Sequence, residues 1–435
     1  MSKNGKPPSG LFSRSKELLG LAAKLSAQEL SKRVGNDTPL KSLSLQMAQA
    51  AELVQSLGRL KGAAMKVGQL ISVEGRDFFP PEVLDVLSKL QDSAPPMSFE
   101  DVQRQLQTEL GPEKFSQIEG LEPQALAAAS IGQVHRARWK GEDIVFKIQY
   151  PGVSASIDTD LILLKNLARG ALALSPRRNI PMDDLFDEIA SLLKQEVDYT
   201  QELALLTEYR ETLGHHPEFV FPKPIPELSS SQVLAMSFEG GLKIQEFLRT
   251  NPSSESRNDF GNKILNLYAL EFFEHGFVQT DANFGNFLLR PETGQLVCLD
   301  FGATRRYSPE FRRDYRQLLK LVRDSNKNQT IQHCVQMGLI SELEEAACKD
   351  AFFWMLRRST EPFEAHRQPF VFEDRDYARE VRESAFAFTK LVRHSPPPHQ
   401  LIFLHRKLGG VFNMLKTLGA KIDLTPYWHR LIPQN

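Results

Sequence analysis

Apolar residues recur at alternating steps of four and three from Leu53 through Leu57, Leu60, Ala64 and Val67 to Ile71, which is one continuous helical stripe. The helical pattern begins near Leu43, ends at Pro80-Pro81, and restarts from Glu82 to Leu90 with Val83, Leu84 and Leu87 inward. Pro95-Pro96 closes this all-helical stretch, and Ser98 stands where a helix cap would. The period then changes. Ser130 to Trp139 and Ile144 to Gln149 read as strands around the turn Lys140-Gly141-Glu142-Asp143. Asp160 to Leu174 and Met182 to Leu205 predict helices. Val233 to Met236 predicts a short buried strand running into Ser237-Phe238-Glu239-Gly240-Gly241, a flexible crossing point. Beyond it nearly everything reads as helix, except a hairpin: Phe287-Leu288-Leu289, the turn Pro291-Glu292-Thr293-Gly294, and Gln295 to Leu299. Leu401 to Leu418 is interrupted by His405, Arg406, Lys407 and Lys416, so it reads as an amphipathic core helix.

Composition adds bounds. A chain of 435 residues is too long for one core and suggests two or three domains. With 41% hydrophobic and 25% charged residues it has globular composition, and a net charge of −1 gives no argument for nucleic acid. Cys298, Cys334 and Cys348 have neither metal-ligand spacing nor a disulfide framework, which fits a reducing compartment. No run of eighteen apolar residues predicts a transmembrane helix, and no cleavable secretory signal is expected. Locally the first 33 residues are basic, with seven Lys or Arg against two Glu, and Leu18, Leu21, Ala22 and Leu25 recur among them at helical spacing. Such a helix can lie on an anionic membrane surface, or be a surface helix after a flexible tail.

The chemistry sits in a short stretch. Asp281-Ala282-Asn283-Phe284-Gly285-Asn286 is followed, fourteen residues after Asn286, by Asp300-Phe301-Gly302. Asp-x4-Asn, a strand pair and Asp-Phe-Gly form the phosphoryl-transfer site of a protein-kinase-like fold. Asp281 would sit near the attacking oxygen, while Asn286 and Asp300 would hold Mg2+. Ile144-Val145-Phe146-Lys147 fits the strand whose lysine holds the nucleotide phosphates, and the alternation puts Val145 and Lys147 on one face. Its carboxylate partner lies among Glu196, Asp198 and Glu202; Asp198 and Glu202, four apart, are expected to share a helix face. The order is therefore a β-rich small lobe, a crossing point and a helical large lobe.

Two departures stand out. Where a Gly-rich phosphate loop belongs, the chain has Ala127-Ala128-Ala129-Ser130-Ile131-Gly132-Gln133-Val134-His135, and alanine restricts φ where glycine would not. Ser308-Pro309-Glu310 falls only eight residues after Asp300, too close for a peptide-docking loop, and reads better as a helix start.

These residues resemble the UbiB/AarF family of atypical kinases, which includes the Coq-type quinone-biosynthesis ATPases, from about Leu57 to Trp428. Lys66-Val67-Gly68-Gln69 resembles its K-x-G-Q signature, the alanine run its substitute phosphate loop, Glu196-Val197-Asp198 its E-x-D motif, and Gln279-Thr280-Asp281-Ala282-Asn283 its Q-T-D-P-N loop with Ala282 for proline. The resemblance implies an α+β, atypical protein-kinase-like bilobal fold with an all-helical N-terminal extension: a basic N-terminus (1–42), the K-x-G-Q extension (43–97), an N-lobe (98–239) and a helical C-lobe (240–435). It implies catalytic roles for Asp281, Lys147 and Glu202, and Mg2+ on Asn286 and Asp300. ATP would be held by Lys66, Gln69, Ala127, Ala128, Ala129, Ser130, Lys147, Glu196, Asp198, Met236 and Phe238. The implied activity is a magnesium-dependent ATPase, or a kinase of a lipid-like molecule, supporting ubiquinone biosynthesis. The implied setting is peripheral to an anionic-lipid membrane, beside quinone-biosynthesis enzymes, in a bacterial cytoplasm or matrix-like compartment. A small-molecule kinase of the aminoglycoside or choline type, and a non-catalytic nucleotide-sensing scaffold or lipid chaperone, are the competing expectations.

Overall fold

A computed structural model describes residues 97–129, 131–154, 157, 162, 190, 193–194, 196–281, 283–395 and 399–432. The expectations for the basic N-terminus, the K-x-G-Q helices with Lys66 and Gln69, Ser130, and most of the helices expected over 160–174 and 182–205 lie outside these residues. The chain divides into two compact units, Met1–Ala204 with Lys223–Phe238, and Leu205–Pro222 with Glu239–Asn435.

The first unit opens on α1 (Phe99–Phe115), whose N-cap Ser98 accepts from the Asp101 N–H, as the boundary after Pro95-Pro96 predicts. Its sheet comprises β1 (Ile118–Glu119), β2 (Ala127–Ala129), β3 (Gly132–Trp139), β4 (Glu142–Gln149) and β6 (Val233–Ser237), in the order β1-β3-β4-β6 with β2 also on β3. All of these pairings are antiparallel. Alternation sorts the strands into two faces. Ile144, Phe146, Ile148, Ala137, Trp139, Val233 and Ala235 join one core with Val102, Leu106 and Leu110, an i, i+4 stripe along α1. Lys147 therefore points to the opposite face. Gly132 is required where β3 meets β4, because a Cβ there would stand 2.1 Å from the Ile148 carbonyl oxygen.

The unit boundary falls inside α2 (Tyr199–Leu213). In the second unit β5 (Phe219–Val220) runs parallel to β9 (Gln295–Cys298), which pairs antiparallel with β8 (Phe287–Arg290). The region after residue 239 is mainly helical: α3 (Ile244–Arg249), α4 (Ser254–Ala269), α5 (Pro309–Arg323), α6 (Lys327–Gln336), α7 (Ala346–Thr360), α8 (Arg375–Leu391), α9 (His399–Leu418) and α10 (Thr425–Leu431). It holds more than the one hairpin expected. β7 (Phe277–Gln279) pairs with β10 (Thr304–Arg306), and β11 (Phe370–Val371) with β12 (Lys421–Ile422). These strands are two or three residues long, too short to show a period of two.

A π-helical turn, Leu270–His275, extends α4 and ends at Gly276 with φ of 66°. A Cβ on Gly276 would lie 2.5 Å from the Tyr307 carbonyl oxygen, so glycine is needed for the chain to turn into β7. The helix expected at Ser308 forms, with Ser308 accepting from the Phe311 N–H ahead of Pro309. All three cysteines are free and buried. No described helix is long and apolar enough to cross a membrane.

Candidate functional site

In the first unit a row of residues crosses the face of the sheet opposite its core: Ala127 opposite Val134, Val134 opposite Lys147, and Lys147 opposite Leu234. Met236 pairs with Val145, two residues along β4 and hence on the same face as Lys147. The alanine run is an extended strand rather than a flexible loop. Phe238 closes this strip; its N–H donates to the Asp143 carbonyl at 3.0 Å, and the Arg136 guanidinium lies 4.2 Å from its ring centre.

Lys147 Nζ lies 2.9 and 2.8 Å from the two oxygens of Glu202, and both side chains are buried. The Tyr199 ring flanks the ammonium at 5.2 Å. Glu202 is delivered by the first turn of α2, whose start is tied to the sheet: Gln149 Nε2 donates to the Val197 carbonyl at 2.6 Å, and the Tyr199 N–H to the Ser231 carbonyl at 3.0 Å. Asp198 does not share that helix face. It precedes α2, accepting from the Thr200 N–H at 3.0 Å and hydroxyl at 2.6 Å, because a carboxylate at a helix start satisfies donors that have no partner within the helix. Burial opposes its charge, yet the two Thr200 bonds hold its carboxyl below the usual range. Glu196 is half-buried just before this break.

In the second unit the β7–β10 ladder places the two acidic motifs. Asp281 leaves β7 while Asp300-Phe301-Gly302 leads into β10; Gln279 stands opposite Thr304, and Thr280 donates to the Ala303 carbonyl through its N–H at 3.0 Å and hydroxyl at 2.6 Å. The loop then folds on itself. Asn283 accepts from the Gly285 N–H, and Asn286 Nδ2 donates to the Asp281 carbonyl at 3.0 Å and to carboxylate Oδ2 at 3.3 Å. The Leu299 N–H donates to the Asn286 carbonyl at 3.0 Å, so Asn286 and Asp300 end facing strands. Phe301 is buried against Tyr209 (4.8 Å between ring centres) and Phe221 (6.0 Å).

The donor set suits magnesium. Asn286 commits its amide nitrogen to Asp281, which leaves its carbonyl oxygen as the acceptor, and Asp300 accepts from the Gly302 N–H at 3.1 Å through one carboxylate oxygen. Mg2+ takes one or two protein oxygens and completes its shell with phosphate and water. Among the described residues no group of three or more His, Cys, Asp or Glu gathers as an all-protein cage.

Behind the loop lies a network that sequence reasoning missed. Lys407 Nζ on α9 lies 2.9 Å from Glu271 on the π-turn, and each side chain is 1% exposed. Tyr209 donates to Glu271 at 3.1 Å, Lys407 reaches Gln279 at 3.4 Å, and Gln279 Nε2 donates to the Asp281 carbonyl at 2.8 Å. Burial raises the Glu271 carboxyl above its ordinary value in spite of Lys407, and burial pushes the Tyr209 hydroxyl and Cys298 thiol up. A small cavity between these groups is lined by Tyr209, Glu271, Gln279, Asn286, Cys298 and Asp300. The adjacent Arg406 donates to Asp281 Oδ1 at 2.9 Å. The available signal was charge inside apolar runs: Glu271 within Leu267–Phe273, and Arg406-Lys407 within Leu401–Leu418.

The chain is similar to several known proteins. The family model of the ABC1 atypical kinase-like domain matches residues 89–334. Atypical kinase COQ8, mitochondrial, of Saccharomyces cerevisiae is 31% identical over 97% of this chain and 84% of its own length. Atypical kinase COQ8B, mitochondrial, of Rattus norvegicus is 31% identical over 97% of this chain and 80% of its own. Rv3197 of Mycobacterium tuberculosis, solved in complex with erythromycin, superposes with a TM-score of 0.64 at 26% identity, covering 90% of this chain and 97% of that one.

Proposed function

Because the chain belongs to the ABC1/UbiB family of atypical kinases, we propose that it is a magnesium-dependent ATPase or lipid-directed kinase that supports ubiquinone biosynthesis at a membrane surface. The observation that carries this reading is the convergence of Asp281, Asn286 and Asp300 at the ends of two short strand ladders, with the loop hydrogen bonds already made. In the roles proposed, Lys147 neutralises nucleotide phosphate and Glu202 holds its ammonium in place. Met236 and Phe238 flank the base, and Ala127, Ala128 and Ala129 cover the phosphates as a stiff strand. Asn286 and Asp300 hold Mg2+, which when bound neutralises phosphate charge. Asp281 takes the proton of the acceptor oxygen.

Lys66, Gln69, Ser130, Glu196 and Asp198 are proposed nucleotide contacts by resemblance alone. The basic N-terminal segment, 1–42, is the proposed contact with anionic lipid. Quinone-biosynthesis enzymes are the proposed partners, in a bacterial cytoplasm or a matrix-like compartment; the yeast and rat relatives are named as mitochondrial.

The deciding experiment is ATP hydrolysis by the full chain with magnesium, with and without cardiolipin-containing liposomes, for wild type and Asp300→Asn. Turnover that rises with liposomes and disappears in Asp300→Asn supports the reading. Nucleotide binding without turnover under every condition would replace it with a nucleotide-sensing scaffold.

A further inference from the structure

Phosphoryl transfer builds negative charge on the equatorial oxygens of the moving group, and a fixed cation beside them lowers the barrier. The loop from Asp281 to Asn286 contains neither lysine nor arginine. The second unit supplies a cation from elsewhere. Arg406, 125 residues away in sequence, donates through Nη2 to Asp281 Oδ1 at 2.9 Å, and the two side chains remain 23% and 24% exposed. Consecutive positions on a helix point about 100° apart, so Arg406 and Lys407 do different things. Lys407 is sealed against Glu271 at 1% exposure, whereas Arg406 stands at the open end of the loop. α9 is braced there by a second contact, with the Arg305 guanidinium 4.6 Å from the Phe403 ring centre. That contact ties the helix to the strand following Asp300-Phe301-Gly302.

We propose that Arg406 is a catalytic residue of the phosphoryl-transfer reaction, its guanidinium passing from the Asp281 carboxylate to the oxygens of the transferred phosphate. The inference rests on the ATPase or kinase reading above and adds the residue that stabilises its transition state. In the step, the acceptor oxygen bonds to the γ-phosphorus as the bond to the β,γ-bridging oxygen breaks. The bridging oxygen keeps the electron pair and leaves on ADP, and the acceptor proton passes to Asp281. While Arg406 is on Asp281 the guanidinium occupies carboxylate Oδ1; once it turns to phosphate, that oxygen is open to accept the proton. An arginine suits this exchange because its planar fork bonds a carboxylate or two phosphate oxygens equally well, which an ammonium cannot do.

The test compares wild type, Arg406→Ala and Arg406→Lys as full chains, in magnesium-dependent ATP turnover, ADP binding, melting temperature, and capture of ADP with aluminium fluoride as the transition-state mimic. Arg406→Ala should lose about 10^3-fold in kcat, bind ADP as wild type does, and fail to capture ADP with aluminium fluoride; added guanidinium ion should restore part of the rate. Arg406→Lys keeps the charge and the fold but loses the fork, so it too should lose most of the turnover. Full turnover in Arg406→Lys, or turnover in Arg406→Ala within about threefold of wild type, would overturn the proposal and leave the ATPase reading standing. So would parallel losses of ADP binding and melting temperature without guanidinium rescue, the mark of a structural role. Wild type that neither hydrolyses ATP nor captures ADP with aluminium fluoride would remove both.

Discussion

The two units each bury a lysine–glutamate pair, and the pairs are built for different ends. Lys147 and Glu202 meet on the face of a sheet turned away from its core, with side chains 9% and 4% exposed. Lys407 and Glu271 meet between α9 and a π-turn at 1% exposure each, with Tyr209 donating to Glu271 and Lys407 donating to Gln279. Removing a charge from water costs several kcal/mol, which its partner repays only in good geometry. In the proposed function the first pair holds its ammonium for a nucleotide phosphate. The second is sealed at 1% exposure, and its reach through Gln279 to the Asp281 backbone makes it a support for the loop.

Lys407→Met gives the largest expected effect. Leaving Glu271 buried without its partner should cost about 3–5 kcal/mol, read as a fall in urea midpoint, while replacing both residues by methionine should recover most of that loss. Lys147→Met comes next and reverses the pattern. Turnover should drop about 10^2-fold or more while the fall in urea midpoint stays below that of Lys407→Met. Equal destabilisation by the two lysine variants would break the distinction drawn between them.

A third buried carboxylate sharpens it. Glu344 opposes its own burial by accepting from the His394 and Arg393 N–H groups and the Ser395 hydroxyl, which bring its carboxyl down to about 2. Its folded value lies below the unfolded one, so its contribution to stability is present above the ordinary value of 4.5 and is lost as pH falls through about 2. Melting temperatures measured across that acid range should therefore fall more steeply for wild type than for Glu344→Gln. The smallest effects test whether the units differ where nothing is buried. Ser98 caps α1 in one unit and Ser308 caps α5 in the other, each accepting one N–H at 3.2 Å. Either Ser→Ala change should cost about 1 kcal/mol, read in thermal melts, with no difference between the units.

Local chemistry was legible in the residues themselves. The turn at Lys140-Gly141, the cap at Ser98, the start at Ser308-Pro309 and the Asp281, Asn286 and Asp300 spacing each depend on a few neighbours in sequence, where residue type nearly dictates conformation. Family membership was legible for the same reason, through short motifs. Tertiary packing decided the rest. The residues alone left Glu196, Asp198 and Glu202 open, and only the resemblance singled out Glu202. The geometry that separates them is set where α2 starts, and that start is tied to Gln149, on a strand 48 residues from the Val197 carbonyl it binds. The partners of Asp281 and Gln279 come from a helix 125 and 128 residues further on. No local rule links such distant positions. An arginine and a lysine inside an apolar run show only that polar groups must be satisfied somewhere, and the packing of α9 against the loop determines by what.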